Sequence, residues 1–373
     1  MNILLCGSYI PVDMVKKLPL SSEAGNNLQH NLICEFKKKH NVKTLSYIGY
    51  TMDAEQKGMI ECAMNANGLE YIIGKHGAGR LYSYLQCSLK LWNMVKNADV
   101  VLLYNYHYIF SAVLLFAKLC HFKTALMIAD SNEISEEKGI MRKCLAWYYK
   151  KTRQRFDKLI ILSKDLMSRL DANDALFFPG AIRYEDYKDF SLQSLENRKI
   201  RVLYAGVFTD VTGVDLLLAA IEKIDLQNVE FIFTGRGDLL PDVKAVAAKD
   251  KRVVYKGFLP RKEYYELMNS VDILVNPRNM TMPQNMNNFP SKMLEYLASG
   301  KVIVSTRFSG YEDFSEYCIN YVDTSVESIK AGLIAVVMNL DEIRKKSYTT
   351  NHSFAREFSW QKKAERMLEY MEE

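Results

Sequence analysis

Short apolar runs recur along the whole chain, and longer segments with helical spacing of apolar residues lie between many of them. Most of the runs are apolar at every position, which is typical of strands buried on both faces of a parallel sheet. The alternation predicts α/β structure. The predicted strands are 3–6, 44–48, 70–73, 100–104, 125–128 and 159–162 in the first half, and 201–205, 230–233, 253–255, 273–275, 302–305 and 319–322 in the second half.

This pattern divides into two similar halves. A polar stretch at 186–199 separates them, and an amphipathic segment at 358–373 follows the second half. We expect an N-terminal Rossmann-like domain at 1–185, a C-terminal Rossmann-like domain at 198–357 and a terminal helix at 358–373. Ligands bind such sheets beyond the carboxyl ends of the strands, so a cleft between the domains is expected to hold a ligand with two different halves. Predicted helices include 27–39, 108–120, 214–224 and 291–298.

The apolar segments do not predict membrane insertion or export. The longest of them, 100–119, is interrupted by Asn105, His107 and Lys118 and is a poor membrane span. We expect a strand followed by a helix there. The N-terminal residues lack a basic start and a small-residue cleavage site, so they are interpreted as a first strand.

Composition narrows the class of protein. With 49% apolar and 25% charged residues, the bulk of the chain is not disordered. Seven cysteines without a Cys-x-x-Cys pair argue against a disulfide framework or a zinc ribbon and fit a reducing cytosol. The net charge is +5, and residues 1–180 carry 23 Lys and Arg against 16 Asp and Glu. This basic half is expected to meet an anionic surface or ligand.

Candidate chemistry is concentrated near the end of one predicted strand, 273–275. The segment 275–278 (VNPR) is followed by 289–301 (FPSKMLEYLASGK), where a helix is expected to start near Pro290 and end at Gly300. A helix N-terminus binds anions, and Arg278 and Lys292 add positive charge beside it. Glu295 lies one turn into the helix, where a carboxylate can accept hydrogen bonds from ribose hydroxyls. The alternative is that both cations are solvated and that Glu295 only favours the helix dipole.

These two segments resemble the signature of retaining family-4 glycosyltransferases with the GT-B architecture, in particular the bacterial surface-polysaccharide branch. Four further segments resemble the same family: 204–206 with 213–217 (YAG and GVDLL), 233–237 (FTGRG), 255–259 (YKGFL) and 358–360 (FSW). The resemblance covers about 201–373. It implies two Rossmann-like domains facing a central cleft and a C-terminal helix that crosses back and packs on the N-terminal domain.

Two departures from the family pattern affect the expected site. Many members have two glutamates seven residues apart; the second corresponds to Glu295, and the first position is Asn287 here. The family also commonly has an Arg and a Lys that hold the diphosphate, whereas the loop 207–212 (VFTDVT) contains no base. The resemblance then leaves Arg278, Lys292 and Arg236 to meet the leaving-group charge, together with backbone N–H groups at Gly206 and Ser291.

The resemblance implies the site residues of the second half, and those of the first half, such as Asp130, Glu133 and His107, are expected from their positions just after predicted strands. Those expected to be catalytic are Asp130, Arg278 and Lys292. Those expected to bind the donor are Gly206, Gly235, Arg236, Asn287, Pro290, Ser291, Met293 and Glu295. Those expected to bind the acceptor are Gly25, Asn26, His107 and Glu133.

The acceptor-side residues have alternative interpretations. Gly25 and Asn26 lie in the region after the first strand, where glycine allows close backbone approach or a helix simply begins. A lone histidine such as His107 is more often structural. The segment 74–80 (GKHGAGR) fits neither the P-loop nor the dinucleotide spacing and is interpreted as a mobile basic loop.

A basic and aromatic segment in the first half suggests a membrane surface. Residues 138–158 contain eight Lys and Arg against one acidic residue, with Trp147, Tyr148 and Tyr149 in the middle. This composition suits an anionic membrane, and the alternative is a solvated helix face. No nucleic-acid recognition motif accompanies the charge, so nucleic acid is not expected as a partner.

The expected function is transfer of a hexose or N-acetylhexosamine from a nucleoside diphosphate sugar, with retention, and a UDP-sugar is favoured over a GDP-sugar. The acceptor is expected to be a lipid-linked saccharide in capsule, exopolysaccharide or lipopolysaccharide O-antigen synthesis, and the protein cytoplasmic and peripheral at the inner membrane face. Because no Asp-x-Asp pair occurs, neither a metal site nor a cofactor is expected. Alternatives are a GT-B sugar-nucleotide epimerase and a non-catalytic donor-binding partner of another transferase. A dehydrogenase is not favoured, because Gly-x-Gly-x-x-Gly is absent after both first strands.

Overall fold

The computed structural model describes residues 1–15, 17, 23–49, 52–77, 79–129, 140–287, 289–351 and 353–373, without the side chains of residues 141, 142, 286 and 287. Within these ranges the chain forms two compact units. The first contains Met1–Phe178 and Trp360–Glu373, and the second contains Pro179–Ser359. Each unit is built on one parallel sheet, which confirms the predicted fold class of two Rossmann-like domains.

The first unit contains a seven-stranded parallel sheet within its described residues. The strand order is β3-β2-β1-β4-β5-β6-β7, so the chain moves to one edge, returns past β1 and continues to the other edge. The strands are β1 (Asn2–Gly7), β2 (Asn41–Ile48), β3 (Glu70–Ile73), β4 (Val100–Tyr104), β5 (Lys123–Ile128), β6 (Lys158–Ile161) and β7 (Leu176–Phe177). The α-helices of Met1–Phe178 are α1 (Val12–Val15), α2 (Glu23–Lys37), α3 (Ala54–Ala66), α4 (Gly79–Val95), α5 (Ala112–Cys120), α6 (Ile140–Arg153) and α7 (Lys164–Arg169).

The second unit has a six-stranded parallel sheet within its described residues, in the order β10-β9-β8-β11-β12-β13. The strands are β8 (Ile200–Val207), β9 (Val229–Arg236), β10 (Val253–Tyr255), β11 (Ile273–Asn276), β12 (Val302–Thr306) and β13 (Asn320–Val322). The α-helices are α8 (Val214–Glu222), α9 (Leu240–Lys249), α10 (Arg261–Ser270), α11 (Pro283–Asn287), α12 (Lys292–Ser299), α13 (Val326–Met338), α14 (Leu340–Asn351) and α15 (Phe354–Glu357). Short 3-10 turns lie at Tyr108–Phe110, Tyr184–Asp186 and Tyr311–Phe314.

The last helix, α16 (Trp360–Glu372), belongs to the first unit and packs against α2. Met367 and Met371 of α16 are fully buried with Phe36 of α2 in one apolar cluster. The unit limits differ from the predicted limits 1–185, 198–357 and 358–373. Residues just after Phe178 lie with the second unit, because the Ile182 amide donates to the Phe358 carbonyl at 3.0 Å.

The two faces of the first sheet are covered by different helices. Connections between parallel strands are right-handed, so α2 and α3, which lead towards one edge, cover one face, and α4, α5 and α6 cover the other. The core clusters follow this division. Cys87 and Leu91 of α4 pack with Val113 of α5, whereas Phe36 of α2 packs in a separate cluster with α16.

All twelve strands predicted from the sequence are present within the described residues. The two-residue strand β7 was missed, because its half-buried residues form no apolar run of useful length. The predicted helix 108–120 is a 3-10 turn followed by α5, and α2 begins at Glu23 rather than at residue 27. The predicted end of the helix at Gly300 is confirmed, with Gly300 at φ +66°.

Within the described residues, no helix is both long enough and apolar enough to cross a membrane.

A buried lysine joins the polar stretch before β8 to the second unit. Lys301 is 3% exposed, and its Nζ donates to the carbonyl oxygens of Ser191 at 2.9 Å and Asn269 at 2.6 Å. Burial lowers the pKa of Lys301 to about 8, and the nearby Asp272 carboxylate opposes this change. The charge of Lys301 therefore opposes folding, while its two hydrogen bonds keep the buried carbonyl groups satisfied.

This lysine predicts a specific pH dependence of stability. Between about pH 8 and the ordinary value of 10.5, the unfolded chain binds a proton at Lys301 that the folded chain does not bind. The contribution of Lys301 to the free energy of unfolding therefore rises with pH between these two values, by about 3 kcal/mol in total. We expect the free energy of unfolding of the wild type, relative to Lys301→Met, to increase between neutral pH and pH 10. Urea unfolding of both proteins measures this, and a difference independent of pH would contradict it.

Candidate functional site

The carboxyl edge of the second sheet is built from closely packed bare backbone. Gly206 on β8 pairs with Gly235 on β9, and Gly235 has φ +145°. A Cβ on Gly235 would lie 1.8 Å from the Gly206 carbonyl oxygen, and a Cβ on Gly213 would lie 1.9 Å from the carbonyl oxygen of Pro277. Only glycine fits these positions. Both predicted donor glycines therefore lie near strand ends, where the backbones of β8 and β9 pack closely; Gly206 is half-buried, and Gly235 is buried with its amide bonded to the Gly257 carbonyl at 3.0 Å.

A buried asparagine holds two loops of this edge together. Asn285 on α11 is 1% exposed, and its Nδ2 donates to the carbonyl oxygens of Val211 and Asn279, at 2.7 Å each. Its Oδ1 has no hydrogen-bond partner among the described residues. Asn285 thus fixes the base-free loop after β8 against the loop after β11. No sequence pattern pointed to Asn285, because a single asparagine in a polar loop has many possible roles.

Arg278 follows β11 at the same edge and is half-buried. Burial lowers its pKa, and the neighbouring Tyr204 hydroxyl opposes that change. Burial also raises the pKa of Tyr204 to about 12, and the hydroxyl donates to the Val207 carbonyl at 2.6 Å. A guanidinium keeps its proton at neutral pH even when partly desolvated. Arg278 is therefore a fixed positive charge with restricted water access, beside Tyr204, which belongs to the family-like segment 204–206 but was not among the expected site residues.

The start of α12 presents polar groups on one side and core on the other. Ser291 is the N-cap residue, is exposed, and makes no side-chain capping hydrogen bond. The sequence analysis expected the helix to start near Pro290. In the structure Pro290 is buried and lies just before the N-cap residue. Met293 is fully buried in the core of the unit. Of these three residues, Ser291 is the one whose side chain is open to a ligand.

Glu295 is the centre of a compact polar cluster. Its Oε2 accepts hydrogen bonds from the Tyr264 hydroxyl and from Lys292 Nζ, at 2.8 Å each. Lys292 Nζ also lies 4.1 Å from the centre of the Tyr264 ring. Burial raises the pKa of Tyr264 well above its ordinary value, and the Glu295 charge adds to the rise, so the hydroxyl stays protonated and donates. Both contacts use Oε2, which leaves Oε1 to accept from a ligand hydroxyl.

Arg236 lies at the end of β9 and is exposed. Its guanidinium lies 4.9 Å from the ring centre of Phe258, which is 67% exposed. This cation–π contact holds a cation and a flat apolar surface together beside Gly235. The sequence contained a signal for Phe258, because the segment 255–259 was one of the family-like matches.

On the first sheet, Gly25 and Asn26 lie in the first turn of α2 rather than in a loop. Asn26 is 2% exposed, and its side chain accepts from the Ile10 amide at 2.9 Å and donates to the Ile10 carbonyl at 3.0 Å. Both ends of the amide are thus used to hold the segment after β1. The structure supports the structural interpretation of the Asn26 side chain.

His107 follows β4 at the carboxyl edge of the first sheet. Its Nδ1 accepts from the Ile109 amide at 3.3 Å, and its ring stacks on Tyr47 with centres 4.4 Å apart. Burial lowers the pKa of His107 to about 4, so the ring is neutral at physiological pH. With Nδ1 accepting, the proton lies on Nε2, which makes His107 a fixed neutral donor.

Three predicted site residues are not placed. Asp130 and Glu133 lie outside the described residues, and so does the side chain of Asn287, whose backbone ends α11. The basic segment 138–158 forms α6 and β6 over its described part. Trp147 of α6 is 63% exposed, whereas Tyr148 is half-buried and hydrogen-bonds through its hydroxyl to Tyr106 at 2.7 Å.

Comparison with known proteins gives matches over the second unit and over the whole fold. Residues 199–339 match the family model described as glycosyl transferases group 1. An uncharacterized glycosyltransferase of Methanocaldococcus jannaschii is 24% identical over 222 residues, or 58% of this chain and 59% of that protein. The amylovoran biosynthesis glycosyltransferase AmsK of Erwinia amylovora is 25% identical over 137 residues, or 35% of this chain and 34% of that protein. The chain thus matches less than two thirds of either relative.

Solved structures share the fold over nearly their full length. A glycosyltransferase from Rickettsia africae has a TM-score of 0.72 at 15% identity, covering 100% of this chain and 98% of that one. The lipopolysaccharide outer core galactosyltransferase WaaB has a TM-score of 0.69 at 13% identity, covering 100% of this chain and 99% of that one. Anabaena HepE in complex with UDP has a TM-score of 0.69 at 12% identity, covering 100% of both chains. The family-model match thus lies within the second unit, and the solved structures show the shared fold of the whole chain.

Proposed function

We propose that the protein is a retaining glycosyltransferase that moves a hexose or N-acetylhexosamine from a UDP-sugar to a saccharide acceptor. The observation that carries this proposal is the polar edge of the second sheet, where Arg278, Ser291, Lys292 and Glu295 follow β11 within the segment matching glycosyl transferases group 1. A neighbour of the same fold, HepE, forms a complex with UDP, which supports uridine as the base.

The proposed chemistry requires positive charge at this edge. When the bond between the sugar and the diphosphate breaks, negative charge develops on the departing UDP. Preorganised cations and N–H groups stabilise that charge in the transition state. Arg278, partly shielded from water, and Lys292, at the start of α12, are proposed for this role without a metal ion or other cofactor. Arg236 and the backbone N–H groups at Gly206 and Ser291 are proposed to hold the rest of the diphosphate.

Glu295 is proposed to bind the ribose hydroxyls through Oε1. Tyr264 and Lys292 hold Oε2, so the orientation of the carboxylate is already fixed before a ligand arrives. Preorganisation of this kind reduces the cost of binding.

The first unit is proposed to bind the acceptor. His107 supplies a neutral Nε2–H donor at the sheet edge, and Asp130 is proposed as the base that takes the proton of the acceptor hydroxyl. We propose a lipid-linked acceptor at the inner face of the cell membrane, in synthesis of a surface polysaccharide. Two similar proteins support this assignment by their names, AmsK in amylovoran biosynthesis and WaaB in the lipopolysaccharide outer core.

Donor binding is tested by truncating the ribose carboxylate. A UDP-sugar should raise the melting temperature of the wild type without added metal, because a ligand that binds only the folded state stabilises it. Glu295→Ala should raise the Kd for UDP by about 10- to 100-fold, the usual effect of losing hydrogen bonds to a charged group. Thermal shift and calorimetry with UDP-, GDP- and dTDP-sugars measure this.

Two control variants separate ligand contacts from local structure. Tyr264→Phe removes a hydroxyl that holds Oε2 but keeps the carboxylate, so most of the UDP affinity should remain. Glu266→Ala removes an exposed carboxylate from the same helix as Tyr264 and should have no effect. If all three variants bind UDP equally well, Glu295 does not bind the ribose.

Turnover is tested at the partly buried cation. Arg278→Gln should lower kcat for release of UDP by about 100- to 1,000-fold, because one preorganised donor to the leaving group is lost. The exposed Arg307, which follows β12 and pairs with Asp323 at 2.9 Å, provides the matched Arg307→Gln control with unchanged kcat. Single-turnover release of UDP from UDP-sugars gives the rate. Donor binding without turnover in the wild type would instead favour a non-catalytic partner.

Retention is tested on the product. With an α-linked UDP-sugar as donor, the new glycosidic bond should also be α. The coupling constant of the anomeric proton, measured by NMR on the isolated product, distinguishes the two outcomes. A β-linked product would contradict a retaining mechanism while leaving transferase activity intact.

A further inference from the structure

Helix α4 is apolar on two opposite faces. Its buried stripe consists of Ser83, Cys87, Leu91 and Val95, which face the first sheet. Leu81, Leu85 and Leu89 form a second stripe, and they are 65%, 53% and 67% exposed. A helix on the surface of a domain normally has polar residues opposite its buried face. The outer leucines of α4 therefore contribute little to the fold of this unit.

The neighbouring helix extends the same apolar surface. Leu115 and Leu119 of α5 are each 59% exposed and lie one turn apart. The helices α4 and α5 are packed together through Trp92 and Phe116, whose ring centres are 5.1 Å apart. We call the exposed leucines of these two helices the leucine face: Leu81, Leu85, Leu89, Leu115 and Leu119. Single exposed apolar residues are common, but a cluster on adjacent helices marks an interaction surface.

The helices beside the leucine face carry mainly positive charge. Helices α4, α5 and α6 together contain eight Lys and Arg residues and no Asp or Glu, although Lys90 of α4 pairs with Glu70 of β3 at 2.6 Å. By contrast, α2, α3 and α16 on the opposite side contain seven Glu residues against five Lys and Arg residues. On α6, Lys143, Lys150 and Lys151 are exposed together with Trp147. The positive charge is therefore a property of one side of the sheet, not of the whole unit.

We propose that the leucine face inserts into the interfacial region of an anionic lipid bilayer, with the basic residues of α6 on the headgroups. The exposed leucines can enter the apolar region just below the headgroups, and the lysines are attracted to the anionic headgroups. Tryptophan is common at this boundary. This inference rests on the proposed function, because it supplies the surface that brings a lipid-linked acceptor to the first unit. It assigns the insertion to α4 and α5, whereas the sequence pattern pointed only to 138–158.

A second copy of the chain fits this surface less well. In a two-fold dimer the same patch meets itself, so the basic residues of both copies would be brought together without any acidic residue on α4, α5 or α6 to offset them. Like charges placed opposite each other disfavour such an interface. An anionic bilayer satisfies the apolar and the charged residues at the same time.

The experiment is vesicle flotation of the full chain. We expect the wild type to float with vesicles of phosphatidylcholine and phosphatidylglycerol, to float less with phosphatidylcholine alone, and to be released partly by salt. The variant Leu85→Gln/Leu89→Gln/Leu115→Gln should lower the partition coefficient on the order of 100-fold, because three apolar side chains no longer enter the interface. Lys143→Gln/Lys150→Gln/Lys151→Gln should lower the preference for phosphatidylglycerol and the salt sensitivity.

A matched control removes exposed apolar side chains elsewhere. Met59 on α3 is 36% exposed and Met338 on α13 is 71% exposed. The variant Met59→Gln/Met338→Gln should float like the wild type. The thermal shift with UDP, measured on every variant, shows that each is folded and keeps its donor site in the second unit. A UDP response with no flotation would overturn this inference alone, whereas flotation without a UDP response would overturn the proposed function alone.

Two other outcomes would overturn the inference. If the leucine variant floats like the wild type and only the lysine variant is released, binding is electrostatic and the leucine face does not insert. If the wild type sediments as a dimer, does not float, and becomes a monomer in the leucine variant, the leucine face is an interface between two copies.

Discussion

Burial of both faces of two parallel sheets is the constraint on which the rest of the structure depends. Helices cover each face, so most strand residues are buried and apolar, and few of them are placed to contact a ligand. Chemistry is left to the loops where the strands end, and in a parallel sheet the carboxyl ends all lie at one edge. Gly206, Gly235 and Arg278 are at that edge of the second sheet, and His107 is at the corresponding edge of the first.

At the edge of the second sheet, the loop 207–212 lacks the Arg and Lys that are common in the family-like pattern, and the backbones of two loops pack closely there. The loop after β8 lies directly against the loop after β11, because Gly213 has no Cβ to hold it away from Pro277. Asn285 then joins the two loops through two carbonyl oxygens. Arg278 lies at the same edge, half-buried beside Tyr204. A charge in that setting acts more strongly on a ligand than a solvated one, and this is why Arg278 is proposed to stabilise the leaving group.

The limits of sequence-based inference follow from the range of each interaction. Strand positions such as 302–305 were predictable because a buried strand needs an unbroken or nearly unbroken apolar run. Glu295 and Lys292 were predictable as a pair because they are three residues apart on one helix. Tyr264 was not, because its contact with Glu295 joins residues 31 positions apart. For Asn26 the prediction was too specific. Its position after the first strand suggested that it binds a ligand, but both polar atoms of its side-chain amide are hydrogen-bonded to the Ile10 backbone.

The two apolar stripes of α4 differ in what each can contribute. Replacing Cys87 or Leu91 by a polar residue would bury an unsatisfied group and destabilise the first unit. Replacing Leu85 or Leu89 by a glutamate or lysine would cost folding almost nothing, because both side chains are already exposed in the folded chain. At such exposed positions, a charged residue reduces self-association with little loss of folding stability. Leucine at the exposed positions 81, 85 and 89 of α4, on the side of the sheet where α4, α5 and α6 have no acidic residue, is explained by an apolar and anionic partner that the folded chain does not itself contain.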